Sequence, residues 1–316
     1  MSELDRAVET VVERCLRVAP GETVLVIADP DSTAIGEALL AAASTAGGDA
    51  VLTILPPNGA RGTEPPAPVA AALAAADVFI APCLPSLSHT SARKRACELG
   101  HRGATLPGVT ADMLARLMST DFDVLAARCR AVAALLTDAD DAHLTCPRGT
   151  DLHLDLRGRD GISDEGDIGA PGAFGNLPCG EGFMSPAGGE GTIATSALAG
   201  VGLTDEPVML TVRDGALAGA DGAGGAAPGF LEILDAHGPL GRNLAEVGIG
   251  TNDRATVTGN ILEDEKILGT AHIAFGASAG IGGTVTVPVH LDVVVFDPSL
   301  RIGDTVVLDG GRWLLA

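Results

Sequence analysis

The first part of the chain alternates short apolar runs with longer stretches of helical periodicity. Strands are predicted for 21–29, 50–56 and 77–83, and helices for 1–18, 33–47, 68–76 and 110–136. Strands that alternate with helices are typical of a parallel sheet. We therefore expect an α/β N-terminal domain with a Rossmann-like parallel sheet over residues 1–142. The first strand-to-helix turn has no G-x-G-x-x-G pattern, so we infer no dinucleotide.

The pattern changes in the second part of the chain to short alternating strands separated by glycine-rich turns. We expect a mainly β C-terminal domain over residues 143–316. In its run VPVHLDVVVFD (287–297), His290 and Asp292 project from the same face of the predicted strand, since side chains alternate with a period of two. Burying such groups costs several kcal/mol, roughly, unless a partner compensates. A satisfied core hydrogen bond and a pair of metal ligands both explain this placement.

The composition narrows the range of partners. The net charge of −21 repels phosphate backbones and anionic membrane surfaces, so we expect neither nucleic acid nor a membrane as partner. No apolar run reaches the length of about 18 residues that a membrane span needs, and the first helix is amphipathic and acidic, which favours a cytoplasmic location. The six cysteines show no C-x-x-C spacing, which argues against a thiolate zinc site.

Four segments of the second part carry groups that bind hard or borderline cations. They are Glu181 in NLPCGEGFMSPAGGEG, Glu246 in NLAEVGIGTN, His272 in GTAHIAFG, and the pair His290 and Asp292. Imidazoles and carboxylates are ligands of Zn²⁺, Mn²⁺, Co²⁺ and Fe²⁺, and three carboxylates with two histidines suit two ions that share a bridging carboxylate. A glutamate beside a glycine is also common in turns, and a lone histidine is common in cores.

The order and wording of these segments resemble the thermophilic metallo-aminopeptidases of the aminopeptidase T and aminopeptidase S type. The shared motifs are a glutamate after N-x-P-x-G, the motif E-x-G-x-G-T-N, a histidine in H-I-A-x-G and a closing H-x-D. The resemblance implies two domains, a homodimer, and Glu181, Glu246, His272, His290 and Asp292 as ligands of zinc, cobalt or manganese. It also implies a hydrolase for a short peptide or small molecule, in which Glu246 is ligand and base for a metal-activated water. Glu263 and Glu265 are candidates to orient His272.

Two departures from that family favour an alternative. Ala279 stands where those aminopeptidases have a tyrosine, and the segment between the two histidines, 273–289, is short. The related 2,5-dihydroxypyridine dioxygenases are similar in size, and His272, His290 and Asp292 match the two-histidine, one-carboxylate set of non-haem Fe(II) oxygenases. The retained Glu181 and Glu246 favour the hydrolase as the main hypothesis. A structural metal in a binding protein fits less well, because closed sites usually have four cysteine or histidine ligands.

His89 is a further candidate, in the segment PSLSHTSARKRACELGHRG (85–103). This segment follows the predicted strand that ends at Cys83, and ligands of open α/β sheets bind at the carboxyl ends of strands. His89 is therefore predicted to act as a proton-transfer group or substrate contact. A helix cap at Ser88 or Thr90 followed by a solvated basic face explains the same segment equally well.

Overall fold

The computed structural model describes residues 2–56, 63–84 and 86–315. The chain forms two compact units: Met1–Thr120 with Gly166–Cys179, and Asp121–Glu165 with Gly180–Ala316. None of the helices in the described ranges has the length and apolar composition needed to cross a membrane.

The elements are numbered in chain order. The α-helices are α1 (Glu3–Glu9), α2 (Thr33–Thr45), α3 (Ala67–Leu73), α4 (Ser91–Glu98), α5 (Ala111–Leu117), α6 (Phe122–Asp138), α7 (Ala226–Asp235) and α8 (Ile261–Asp264). The strands are β1 (Thr23–Ala28), β2 (Asp49–Ile54), β3 (Val78–Ala81), β4 (Arg102–Thr105), β5 (Asp141–Thr145), β6 (Asp151–Asp155), β7 (Ile162–Asp164), β8 (Phe174–Asn176), β9 (Glu181–Met184), β10 (Gly188–Leu198), β11 (Gly202–Arg213), β12 (Ala216–Asp221), β13 (Leu244–Gly250), β14 (Ala271–Gly276), β15 (His290–Val295), β16 (Ser299–Ile302), β17 (Thr305–Asp309) and β18 (Arg312–Trp313).

The first unit is built on a parallel sheet, as the alternation of strands and helices predicts. Its strand order is β2-β1-β3-β4-β8, and every neighbouring pair in it is parallel. Leu25 and Ile27 of β1 pack with Phe79 of β3 and Leu73 of α3 in a buried apolar cluster. These strands read as nearly continuous apolar runs because both faces of the central strands are covered.

Two predicted helices differ in detail from the sequence pattern. The stretch 110–136 forms two helices, α5 and α6, because the Asp121 carboxylate accepts hydrogen bonds from the backbone N–H groups of Asp123 and Val124 and caps a new helix there. The N-terminal helix changes from an α-helix to π-helical turns over Thr10–Cys15. The helical assignment therefore holds, whereas the helix boundaries depend on local capping.

The second unit is built on a large antiparallel sheet, in agreement with the alternating strand pattern of the second part of the chain. The order of its main path is β18-β17-β16-β5-β6-β10-β15-β14-β13-β9-β7, with β11 and β12 joined through β10. Helix α6 belongs to this unit, because Val132 and Leu136 pack into the same buried cluster as Leu144 of β5 and Leu152 of β6.

The division into units follows packing and differs from a single cut between residues 142 and 143. Helix α6 lies in the second unit, although it precedes that position. Residues 166–179 return to the first unit, where β8 pairs with β4 and extends the parallel sheet. Pairing between distant strands decides this arrangement, so a change in local pattern along the chain does not reveal it.

We predict that Gly103→Ala destabilises the parallel sheet. A Cβ at Gly103 would lie 2.4 Å from the backbone oxygen of Phe79 and 2.5 Å from its buried ring. The free energy of unfolding in urea should fall by about 3 kcal/mol, as expected for overpacking against backbone. The control Gly219→Ala, also in a strand, has nothing within 4 Å of the added Cβ. It should change that free energy by less than about 1 kcal/mol. Equal effects of the two substitutions would contradict the packing argument.

Candidate metal centre

The five predicted ligands lie on four neighbouring strands of the antiparallel sheet. Glu181 is on β9, Glu246 on β13, His272 on β14, and His290 and Asp292 on β15. In the strand register, Ala274 lies opposite both Glu246 and Asp292, Gly248 lies opposite His272, and Gly250 lies opposite Glu181. Because side chains alternate along each strand, all five project from one face of the sheet. The small residues between them leave room for the longer side chains to converge.

The side chains form two groups that share Glu246. One is Glu181, Glu246 and His272, and the other is Glu246, His290 and Asp292; in each group the ligand atoms lie within 4.8 Å of one another. Glu246 Oε1 is 3.3 Å from His272 Nε2, and Glu246 Oε2 is 3.3 Å from His290 Nε2. Across the described chain, His272, His290 and Asp292 form no third compact group, because the Glu246 carboxylate lies between the two imidazoles.

The two groups differ in their access to solvent. Glu181, Glu246 and His272 are buried, and His272 has no exposed surface. The side chains of His290 and Asp292 each keep 14% of their surface exposed, and His290 Nε2 lies 3.6 Å from Asp292 Oδ1. A small molecule that reaches this centre therefore meets His290 and Asp292 first.

The centre requires positive charge. Burial opposes ionisation of these groups, yet nearby His272 and Lys266 hold the pKa of Glu181 below its ordinary value, and His272 and His290 do the same for Glu246. Burial also opposes protonation of the imidazoles, but the surrounding carboxylates raise the pKa of both His272 and His290 well above the ordinary value. A single divalent cation held by these side chains supplies the positive charge that the buried carboxylates require.

One pair of atoms shows directly that the donor set suits a cation. Glu181 Oε2 is buried and lies 3.0 Å from His272 Nε2, yet it has no partner in hydrogen-bonding geometry among the described groups. Buried carboxylate oxygens are ordinarily satisfied. Here a ring nitrogen and an oxygen converge without bonding to each other, as two ligands of one ion do. The residues therefore fit a divalent metal.

The orientation of His290 is fixed by the backbone. Its Nδ1 lies 2.7 Å from the carbonyl oxygen of Ala277. Because a carbonyl can only accept, Nδ1 carries the hydrogen, and a neutral ring then presents the lone pair of Nε2 to Glu246 and Asp292. Metal-binding histidines are commonly fixed in this way. The sequence did not reveal this contact, since it joins a side chain to a loop carbonyl 13 positions away.

Two glycines of the EVGIG segment make the convergence possible. A Cβ at Gly248 would lie 2.1 Å from His272 Nε2, so the imidazole occupies the space above this glycine. A Cβ at Gly250 would lie 2.2 Å from the backbone oxygen of Ile267 and 2.8 Å from that of Glu265. The chain that carries Lys266 therefore packs directly on β13.

Lys266 is the residue of this centre that the sequence analysis missed. Its side chain is 1% exposed, and its Nζ lies 2.5 Å from Glu181 Oε1, 2.8 Å from Glu265 Oε1 and 3.8 Å from Asp164 Oδ2. Burial raises the pKa of Asp164 to about 7 and that of Glu265 to about 8, despite the opposing effect of Lys266. Lys266 holds one oxygen of Glu181 and leaves the other directed at His272. The signal in the sequence was that Lys266 is one of only two lysines, Lys94 being the other.

Within the described residues, the remaining predicted residues do not belong to the two groups of ligands. Glu265 contacts Lys266, and Glu263 accepts hydrogen bonds from the backbone and hydroxyl of Thr256, so neither supplies a described contact to His272. Ala279 lies in a short 3₁₀ turn over Ala279–Ile281. His89 is exposed in the first unit, directly before Thr90, whose hydroxyl caps α4. Its role in the reaction stays a prediction.

Comparison with known proteins identifies a family. The family model for NicX, 2,5-dihydroxypyridine 5,6-dioxygenase, matches residues 3–314. No curated protein matches the sequence significantly. The matched range extends over nearly the whole chain, so the chain belongs to that family.

Two solved structures share the fold. The 2,5-dihydroxypyridine dioxygenase from Pseudomonas putida KT2440 is 21% identical with a TM-score of 0.83, and the match covers 100% of this chain and 99% of that one. Wild-type AmpT from Thermus thermophilus is 19% identical with a TM-score of 0.71, and the match covers 99% of each chain. At these identities the likeness concerns the fold alone, so the expected membership of the aminopeptidase family is not confirmed.

We predict that Gly248→Ala weakens metal binding by about 10- to 100-fold, as loss of a positioning contact does, because the added methyl displaces the His272 ring. Equilibrium dialysis with elemental analysis measures the affinity. The control Gly188→Ala in β10 meets nothing within 4 Å and should bind metal like the wild type. Unchanged affinity in Gly248→Ala, with the fold intact by circular dichroism, would contradict the role of this glycine.

We also predict that Lys266→Met lowers the free energy of unfolding of the metal-free protein by about 3 kcal/mol, because it leaves buried carboxylates without their cation. The matched control is Lys94→Met, since Lys94 is exposed on α4 and is the other lysine. That control should cost less than about 0.5 kcal/mol. Urea unfolding at pH 7 compares the two variants, and losses of similar size would show that Lys266 is not a structural partner of Glu181.

Proposed function

This chain belongs to the 2,5-dihydroxypyridine 5,6-dioxygenase family, and we propose on that basis that it is a metal-dependent dioxygenase acting on a dihydroxylated N-heteroaromatic ring. The observation that carries the proposal is the family match over residues 3–314. The buried cluster of carboxylates and imidazoles on β9 and β13–β15 supports it, because this cluster fits a divalent cation. Family membership favours this function over the hydrolase that the aminopeptidase resemblance suggests.

The proposed metal is iron(II), which would be held by His272, His290 and Asp292 together with the Glu246 carboxylate that lies between the two imidazoles. Two imidazoles and one carboxylate are the ligand set of non-haem iron(II) oxygenases, and the set leaves positions open for substrate and oxygen. When bound, iron(II) supplies the redox chemistry through which dioxygen reacts with an electron-rich ring. In this structure all three ligands share one sheet face.

The protein's own groups orient the ligands and manage protons. The carbonyl of Ala277 fixes His290 with Nε2 toward the centre, and Lys266 holds Glu181 behind His272. Glu246 is the group best placed to take a proton from a substrate hydroxyl, at Oε2, because this oxygen faces the more exposed half beside His290. A carboxylate there also favours the neutral pyridine ring over anionic substrates.

One observation favours a second candidate, a metal-dependent hydrolase. The two groups of three donors share Glu246, and a shared carboxylate suits two metal ions that activate a water. The sequence-based resemblance to aminopeptidases rests on these same residues. Against it, none of the 316 residues is a tyrosine, so the tyrosine that those aminopeptidases have at the position of Ala279 has no counterpart in this sequence.

Two other predictions stay proposals. His89, exposed before α4, is proposed to contact substrate or to transfer a proton. A homodimer is proposed from the resemblance stated above.

The decisive experiment combines metal content with two assays. Protein reconstituted anaerobically with iron(II) should consume one O₂ per 2,5-dihydroxypyridine, with loss of the pyridine absorbance, and should leave an aminoacyl anilide intact. His290→Ala should lose most of its iron and reduce the rate by at least about 100-fold, since a direct ligand is removed. The control is His237→Ala, which lies in the same unit outside the cluster.

The alternative outcomes are equally definite. Hydrolysis of the anilide by the zinc- or manganese-loaded protein, with two ions per chain and no oxygen uptake, would replace the dioxygenase proposal with the hydrolase. Full oxygen uptake by iron-depleted His290→Ala would rule out this cluster as the reaction centre.

A further inference from the structure

A second group of potential metal ligands lies on the hairpin of β5 and β6. These strands are antiparallel, with His143 directly opposite His153 and Thr145 opposite Asp151. Their alternate residues Leu144 and Leu152 are buried in the core. The side chains of His143, Asp151 and His153 therefore project from the other, outward face of the hairpin.

The three side chains already converge. The two imidazole rings stack with centroids 4.0 Å apart and an angle of 7° between their planes. Asp151 Oδ1 lies 2.7 Å from His143 Nε2 and 3.8 Å from His153 Nε2. All three ligand atoms lie within 4.8 Å of one another, so small side-chain rotations bring them to the ligand distances of about 2.0–2.2 Å that zinc requires.

The surrounding charges leave this group available to a cation. Asp141 and Asp155 lie opposite each other on the same hairpin, and each is paired with an arginine: Asp141 with Arg301 at 3.0 Å and Asp155 with Arg157 at 2.7 Å. These arginines therefore form ion pairs with Asp141 and Asp155 and not with Asp151. Glu190, which lies opposite His153 on β10, adds a negative charge beside the hairpin, and Arg301, which lies opposite His143 on β16, is paired with Asp141.

We propose that His143, Asp151 and His153 form a second, surface site for a borderline transition-metal ion such as Zn²⁺. Two imidazoles and one carboxylate provide three ligands, and exposure of His153 and Asp151 leaves further positions to water. The His–Asp contact also holds the ligands in place before an ion arrives, which reduces the entropy lost on binding. Magnesium and calcium prefer oxygen ligands and bind weakly there.

This site is distinct from the proposed catalytic centre. It lies on β5 and β6, whereas the central cluster lies on β9 and β13–β15, and β10 separates β6 from β15 in the sheet. The hairpin ligands and the central cluster have no residue in common. The proposal is therefore independent of the reaction that the centre catalyses. An ion that clamps β5 to β6 also stabilises the folded state by mass action.

The experiment compares Zn²⁺ binding to two forms of the full chain after chelator treatment. Equilibrium dialysis with elemental analysis should show one fewer zinc ion per chain in His143→Gln/His153→Gln than in the wild type. The central cluster is intact in both forms, so the difference isolates the hairpin. His237→Gln is the control and should retain the wild-type number. Zinc should raise the thermal midpoint of the wild type more than that of the double variant.

A second readout identifies the ligands. In a His290→Ala background, which removes one imidazole from the central cluster, added Cu²⁺ should give an electron paramagnetic resonance signal with coupling to two imidazole nitrogens that the same background with His153→Gln lacks. Asp151→Asn should weaken Zn²⁺ binding by about 10-fold or more. Equal zinc stoichiometry in the wild type and the double variant, both folded by circular dichroism, would overturn the proposal. So would a copper signal unchanged in His153→Gln.

Discussion

Burying several carboxylates on one sheet face is the constraint on which this structure depends. Glu181 and Glu246 lie at 7% and 6% exposure, where an uncompensated charge would cost several kcal/mol, roughly. The compensation comes from three directions. Lys266 approaches from the segment after α8, His272 from β14 and His290 from β15. The strand order of the sheet and the path of the loop that carries Lys266 bring these three side chains to the buried carboxylates.

The same constraint explains the glycines of β13. The His272 imidazole leaves no space for a Cβ at Gly248, and the Glu265–Ile267 backbone leaves none at Gly250. Glycine weakens a strand, and this strand is completely buried, so its backbone must be held by neighbours on both sides. Pairing with β9 and β14 provides that support. These glycines thus lower the local stability of β13 at the positions where the ligand side chains converge.

The division of the centre into a closed and a more open half gives each half a separate task. Glu181 with Lys266 forms the closed half, in which Lys266 pairs with one oxygen of Glu181 and the other oxygen is directed at His272. His290 and Asp292 form the half that solvent reaches. Glu246 belongs to both. A proton or ligand exchanged at the open half therefore changes the charge balance of the buried half, and Glu246 is the carboxylate that contacts both imidazoles.

The sequence predicts the parts of this arrangement that depend on periodicity. The parallel sheet follows from alternating strands and helices, and the common face of His290 and Asp292 follows from the two-residue repeat of β15, where Leu291 and Val293 are buried. It does not predict the break at Asp121, since a capping aspartate is also an ordinary surface residue. Lys266 was missed because its acidic neighbours are typical of a solvated turn. Its burial depends on Gly250, 16 positions earlier, which lets its backbone reach the sheet.

The fold alone does not decide between oxygenase and hydrolase chemistry. The dioxygenase and AmpT structures match this chain at 21% and 19% identity over nearly their full lengths, and at such identities the likeness concerns the fold alone. The two chemistries differ in the proton transfers that side chains of the centre must perform. With no tyrosine in the sequence, this role falls to carboxylates and imidazoles, and the Glu246 carboxylate already lies between both rings. A carboxylate base suits deprotonation of an acidic ring hydroxyl. The residue content of the centre therefore agrees with the family to which the chain belongs.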